Sequence, residues 1–355
     1  MQPIIDVGLS SVIDSAIEKR ATDILLTCDM APILRIDGRM GPLTDHAPIT
    51  QETTIEWIKS TMSPEQYQVF LTQKEFDYSF SHSDSRIRVN AFYQKGLPGL
   101  SLRVLPSVIK NYQELGLPPI LSSFTNQRKG FVIICGPTGH GKSTTLASMV
   151  EEINQTRQVH IITIEDPVEY VFKHKKSIIS QREVGVDTLS FSRALRSSLR
   201  EDPDVILVGE MRDFETVDAA LSLAETGHLV LSTLHTNSAA QTADRIVDMF
   251  PPYLQEPARK QLATVLLGVV SQRLVPKIGG GRMIAAEILI ATPAVRTMIR
   301  EAKSHQLDNI ISTSASDGMI SLDKVIAELI SRGEIALDDG LMWSNDPKNV
   351  KTMLY

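Results

Sequence analysis

Residues 131–144 read Phe131-Val132-Ile133-Ile134-Cys135-Gly136-Pro137-Thr138-Gly139-His140-Gly141-Lys142-Ser143-Thr144. Five apolar residues make a buried strand, the next stretch matches G-x-x-x-x-G-K-[ST] in full, and Lys142 onward (KSTTLASMV) opens a helix. Glycines let the backbone turn so that its N–H groups point at phosphate oxygens, and the helix N-terminus adds positive potential. On this reading Gly136, Pro137, Thr138, Gly139, His140, Gly141, Lys142, Ser143 and Thr144 form the phosphate cradle. Lys142 reaches the outer phosphates and the Ser143 hydroxyl ligates Mg²⁺.

Around this stretch, short apolar runs alternate with helical segments. Runs at 131–135, 160–164, 205–208 and 229–232 are separated by a helix from 142 and helices at 190–200 and 214–225. That alternation predicts an α/β domain with a mainly parallel sheet. Beyond residue 291 the pattern is mostly helical. Before residue 105 the order is different: a helix at 7–17, strands at 22–28 and 32–37, then Asp37-Gly38, which reads as a hairpin turn, then two helices. The second of these starts with Ser63 as N-cap, Pro64 and Gln66, a capping box. In 86–93, Ile87, Val89, Ala91 and Tyr93 alternate with Arg86, Arg88 and Asn90, and a further strand covers 99–105. This predicts a small α+β domain over 1–105. A Pro- and Gly-rich linker and hinge follows at 106–120, then an ATPase-type core at 121–290 and a helical region at 291–355.

The 355 residues carry 36 Lys+Arg against 42 Asp+Glu, a net charge of −6. Mild acidity argues against a nucleic-acid-coating protein. Two cysteines, Cys28 and Cys135, exclude a disulfide framework and a four-cysteine zinc site and suit a reducing compartment. The opening residues lack a basic stretch before an apolar core, and 263–270 is far shorter than the roughly 18 residues of a membrane span. These features predict a cytoplasmic protein without direct membrane insertion.

Three further clusters suggest chemistry. Glu165-Asp166-Pro167-Val168-Glu169 follows the 160–164 run, at the strand end where α/β sheets place ligands, and one carboxylate there can polarise water. The run Val205–Val208 ends in Gly209-Glu210, and Glu210 can hold Mg²⁺ through water. His228 and His235 flank a strand seven residues apart. That spacing argues against a metal pair and leaves two readings open for each, a γ-phosphate partner or a core or loop histidine. Arg196 and Arg200 lie four apart on one expected helix face, and Arg88 and Arg103 lie on polar faces of adjacent strands. Guanidinium groups stabilise charge developing in phosphoryl transfer.

Four stretches in this order, GPTGHGKST (136–144), ITIEDPVEY (162–170), DPDVILVGEMRD (202–213) and AETGHLVLSTLHTNSA (224–239), resemble the hexameric secretion ATPases. Within these the chain is most similar to the PilT-like twitching-motility pilus retraction ATPases, and the resemblance covers nearly the whole chain. AVRTMIRE (294–301) is similar to the helix motif associated with retraction, departing at Val295, Thr297 and Met298. The resemblance implies a PAS-like first domain, a RecA-like second domain, and a homohexamer that binds ATP and Mg²⁺. It implies Glu165 as the water-activating base and Glu210 on the Mg²⁺ side. His228 and His235 are implied in the histidine box, with Arg88, Arg103, Arg196 and Arg200 approaching phosphate. It also implies docking to an inner-membrane pilus platform protein as part of the pilus machinery. The rival expectations are an accessory retraction paralogue, a pilus-assembly or type II secretion ATPase, and a RecA-like nucleic-acid translocase. A non-hydrolysing nucleotide-binding regulator is disfavoured by the presence of both Glu165 and Glu210.

Overall fold

The computed structural model describes residues 5–355 except Asp37, Asp84, Pro106 and Ser107. The Asp37 half of the hairpin turn and the start of the linker, Pro106, therefore lie outside the described residues. The chain divides into two compact units, Met1–Val108 with Pro167–Val171, and Ile109–Asp166 with Phe172–Tyr355.

In the first unit the elements run α1 (Val7–Glu18), β1 (Asp23–Thr27), β2 (Ile33–Ile36), β3 (Arg39–Pro42), α2 (Gln51–Thr61), α3 (Pro64–Gln73), β4 (Glu75–His82), β5 (Ser85–Gln94) and β6 (Leu97–Leu105). The strands form one antiparallel sheet in the order β3-β2-β1-β6-β5-β4. Alternation decides which face is buried. Ile87, Val89 and Ala91 join Ile24, Leu26, Leu100 and Leu102 in a core closed by Leu9, Val12 and Ile13 of α1 and by Trp57 and Ile58 of α2. Asp6 caps α1 and also accepts from the Trp57 indole N–H at 2.8 Å, fixing α1 against α2. The capping box at Ser63 and Gln66 is formed. Strand β4 adds to the expected strands, with Phe76, Tyr78 and Phe80 alternating along it.

The second unit holds α4 (Tyr112–Leu115), α5 (Leu121–Thr125), β7 (Gly130–Cys135), α6 (Lys142–Thr156), β8 (His160–Glu165), β9 (Ile178–Glu183), α7 (Phe191–Ser198), β10 (Val205–Val208), α8 (Phe214–Glu225), β11 (Leu229–Leu234), α9 (Ala239–Asp248), α10 (Pro252–Val265), β12 (Leu266–Pro276), β13 (Arg282–Ile290), α11 (Pro293–Arg300), α12 (Leu307–Thr313), α13 (Leu322–Ser331), α14 (Leu337–Trp343) and α15 (Pro347–Leu354). Its sheet has the order β13-β12-β7-β11-β10-β8-β9. All neighbours are parallel except β12 and β13, which pair antiparallel. Strands β7, β10 and β11 are buried along their full length, as expected for parallel strands covered on both faces. The helical tail packs onto this sheet. Val295 and Ile299 of α11 sit in the same core cluster as Phe131 and Ile206, and Leu322 and Ile326 of α13 pack on Val275 and Ala285.

The fold class is therefore α/β with an α+β unit before it, as the alternation of runs implied. Helix α7 stops at Ser198, so Arg200 lies in the following turn and does not share a helix face with Arg196. No helix among the described residues is long and apolar enough to cross a membrane.

Candidate active site

Parallel pairing brings the C-terminal tips of β7, β11, β10 and β8 together, and the chemistry-bearing residues sit on those tips. Strand β7 ends at Cys135 and runs into the glycine-rich loop. Gly136 has φ +140°, and a Cβ on it would lie 2.4 Å from the Gln272 carbonyl oxygen. Only glycine lets the loop pass that close to β12. Helix α6 begins at Lys142 with Gly141 as N-cap and no side-chain cap, which leaves the helix entrance to the loop itself. The Lys142 ammonium, on a residue only 8% exposed, donates to the carbonyls of Gly136 at 2.9 Å and Pro137 at 3.0 Å. The charge is thereby held over the loop's concave side.

His235 follows the tip of β11 and joins this loop to the acidic strand. Its Nδ1 lies 3.4 Å from Lys142 Nζ and 3.5 Å from Thr138 Oγ1, and its Nε2 lies 3.5 Å from Glu210 Oε2. Glu210 also pairs with Arg212. Lys142, His235 and Glu210 thus form one polar chain across the tips of three strands. Ser232 and Thr233 of β11 donate to the carbonyls of Val208 and Gly209 at 2.8 and 2.6 Å, holding the Glu210 segment in place.

Glu165 ends β8, beside Gly209. A Cβ on Gly209 would lie 3.3 Å from the Ile164 carbonyl oxygen and 3.4 Å from Glu165 Cα, so the two strand ends pass close together here. Thr163 Oγ1 donates to Glu165 Oε1 at 2.7 Å, and Gln181 Nε2 lies 3.4 Å from the same oxygen. The two carboxylates therefore stand at the ends of neighbouring strands, Glu165 held by a hydroxyl and an amide and Glu210 by the Arg212 guanidinium and the His235 ring.

The other expected residues are placed differently. His228 precedes β11, at the opposite end of the strand from His235. Its carbonyl accepts from Gly130 N–H at 3.0 Å and its ring lies against Leu223 O and Thr226, so it is not part of the His235 cluster. Arg196 is exposed and 3.7 Å from Glu215. Arg200 is exposed as well. In the first unit Arg88 and Arg103 are direct cross-strand partners, and Arg103 Nε donates to Asp23 at 2.8 Å. Asp23 also meets Arg35 at 3.4 Å, giving a mixed arginine–aspartate row across the sheet.

Strand β12 supplies residues that the motifs did not single out. Gln272 Nε2 donates to the His140 carbonyl at 2.6 Å, and Gln272 Oε1 accepts from Thr145 at 2.8 Å. Leu274 N–H donates to His140 Nδ1 at 2.9 Å, and the His140 ring meets Trp343 of α14 edge-on at 4.9 Å. Burial, with Arg273, Arg282 and Lys142 nearby, lowers the His140 pKa, which keeps Nδ1 an acceptor. Arg273 donates to the Asn237 carbonyl at 2.8 Å, and burial lowers its pKa too. The sequence signal for these residues is the polar run Ser271-Gln272-Arg273 between apolar stretches of one strand.

The cradle tests the fit of a nucleotide. The loop makes a turn closed to Cβ atoms at Gly136, next to a buried lysine, and that suits a polyphosphate. Ser143, second residue of α6, and Glu210 offer hard oxygen ligands of the kind Mg²⁺ takes. Among the described residues, no group of three or more His, Cys, Asp or Glu is arranged to hold a metal on its own.

Comparisons with known proteins agree with this geometry. Residues 2–280 match the family described as Type II/IV secretion system protein. The chain is 44% identical over 330 residues to the Type IV pilus retractation ATPase PilT of Pseudomonas aeruginosa, covering 93% of this chain and 96% of that protein. It is 45% identical over 307 residues to a twitching motility protein of Neisseria gonorrhoeae, covering 86% and 82%. A solved structure of the pilus retraction motor PilT with bound ADP superposes with a TM-score of 0.90 at 47% identity, covering 97% of this chain and 99% of the other. A phosphate loop, a lysine–histidine–glutamate chain across the strand tips and near full-length similarity converge: the chain belongs to the type II/IV secretion system protein family.

Proposed function

We propose that this protein is an ATPase motor that powers retraction of type IV pili. The observation that carries the reading is the Lys142–His235–Glu210 chain over the loop at 136–144. The similarity to pilus retraction ATPases over nearly the whole chain supports it.

In this mechanism the loop amides and Lys142 grip the β- and γ-phosphates of ATP. Ser143 and Glu210 hold Mg²⁺, which when bound neutralises phosphate charge. Glu165, kept in place by Thr163, orients and deprotonates the attacking water. His235 touches both Lys142 and Glu210, so it registers whether γ-phosphate is present. Arg88, Arg103, Arg196 and Arg200 are surface groups of the kind that complete such a site from a neighbouring subunit of a homohexamer. Loss of γ-phosphate contacts releases these groups, and that is the step that turns hydrolysis into movement.

The domain reading is a PAS-like domain at 1–105, a hinge at 106–120, a RecA-like core at 121–290 and a helical region at 291–355. The ring acts in the cytoplasm, docked on an inner-membrane platform protein of the pilus machinery.

A deletion strain scored for surface pili, together with phosphate release by the purified chain, tests the proposal. Excess pili that do not retract, and ATP hydrolysis by the protein, are expected. Bald cells would assign it to assembly. Hydrolysis only with added DNA would assign it to nucleic-acid translocation.

A further inference from the structure

Strand β12 touches both loops of the site. On one side Gln272 binds the phosphate loop through the His140 carbonyl and the first turn of α6 through the Thr145 hydroxyl. On the other side Ser271 Oγ, at 3.3 Å, and Arg273 Nη2, at 2.8 Å, both donate to the carbonyl of Asn237, two residues after His235. Gln272 is fully buried and Arg273 is 7% exposed. The other terminal nitrogen of Arg273, Nη1, is buried and has no hydrogen-bond partner among the described residues. A leucine would fill such a strand position at lower cost than a buried guanidinium with an unused donor. The cost is explained if the arginine is kept for the loop it holds.

We infer that Gln272 and Arg273 are positioning residues: Gln272 fixes the phosphate loop and Arg273 fixes the His235 loop, so that one strand sets the Lys142–His235 distance. The inference rests on the ATPase reading for its kinetics and on loop geometry for the rest. The two residues act on different steps. Loosening the phosphate loop weakens the grip on ATP, which appears in KM. Loosening the His235 loop disturbs the arrangement needed during turnover, which appears in kcat.

The test uses the full chain with Gln272→Glu, Gln272→Leu, Arg273→Met and Arg273→Lys. Gln272→Glu keeps an acceptor for Thr145 but loses the donor to His140. Arg273→Met keeps volume and removes a buried charge, so its melting temperature is expected to equal or exceed that of the parent. For both Gln272 variants KM for ATP rises about tenfold with kcat changed little. For Arg273→Met kcat falls about tenfold or more with KM little changed, and Arg273→Lys recovers part of it. Hydrogen exchange without nucleotide provides an independent readout. Amides at 138–141 exchange faster in the Gln272 variants and amides at 235–238 faster in Arg273→Met, while β7 and β11 stay protected. Parental kinetics with parental exchange overturn the inference. So does lost activity that tracks lost melting temperature with KM unmoved. If the parent chain hydrolyses no ATP, the functional reading fails, and the loop exchange still decides whether Gln272 and Arg273 hold the two loops.

Discussion

Gly136→Ala tests the closest approach in the site. The new Cβ would lie 2.4 Å from the Gln272 carbonyl oxygen and 3.4 Å from its carbonyl carbon. To reach ordinary contact the two backbones must part by roughly 1 Å. Strand β12 cannot retreat, because Gln272 pairs with Ala286 of β13 and the preceding Ser271 with Cys135 of β7. Forcing a side chain into such packing costs about 1–3 kcal/mol. Holding alanine at φ +140° adds about 1–3 kcal/mol. Together these give about 2–6 kcal/mol, which for a unit of this size lowers the melting temperature by on the order of 10 °C. Thermal melts with and without Mg·ADP are the assay. The variant is expected to melt early and to lose most of the nucleotide-induced rise. Gly139→Ala is the control: its φ is +79°, no atom lies within 4 Å of a Cβ there, and the cost is about 1–2 kcal/mol. A Gly136→Ala protein melting within about 2 °C of the parent, or one less damaged than Gly139→Ala, would refute the argument that this turn is closed by β12.

Lys142→Ala removes the charge above the loop and is expected to abolish phosphate release while the chain stays folded; retained hydrolysis would dismiss the site. Glu165→Gln should keep the ADP-induced rise in melting temperature but slow turnover by about 10²–10⁴-fold. If Glu210→Gln stops turnover with binding intact and Glu165→Gln does not, the two carboxylates exchange roles. His140 is held below its ordinary value of 6.5, so the unfolded chain takes up its proton first as pH falls. The stability from neutral His140 is complete above about pH 6.5 and is lost as pH drops through that value toward the lowered folded one. Melting temperature measured between about pH 5 and 7.5 should therefore fall less steeply in His140→Gln than in the parent. Identical slopes would show that His140 does not titrate in this window.

The phosphate loop was legible because its chemistry is local: strand, glycines, lysine and helix follow one another in fourteen residues. Glu165 and Glu210 were legible for a related reason, since each directly follows an apolar run and parallel strands all point their ends the same way. The same logic distinguishes His235 from His228, because strand direction decides which of two flanking residues meets the loop. Gln272 and His140 are separated by 132 positions, and only the pairing of β12 with β7 brings them together. Strand β9 was missed because Ser180, Gln181 and Arg182 interrupt its apolar character, as suits the edge strand of the sheet. Arg200 was misplaced because helix ends depend on local carbonyl satisfaction, and the chain turns there with Arg200 N–H bonding Ser197 O.

Helix α10 ends at Val265 and β12 begins at Leu266, with no residue between them. At that joint the Arg296 guanidinium, from α11, gathers the carbonyls of Ala263, Thr264 and Ala291. Trimming the protein at residue 290 would therefore be no neutral shortening. It would unclasp the root of the strand that borders the nucleotide loop and bare the apolar seats of Val295 and Ile299. Fragments meant to isolate the catalytic core will keep their shape only if that arginine clasp stays attached.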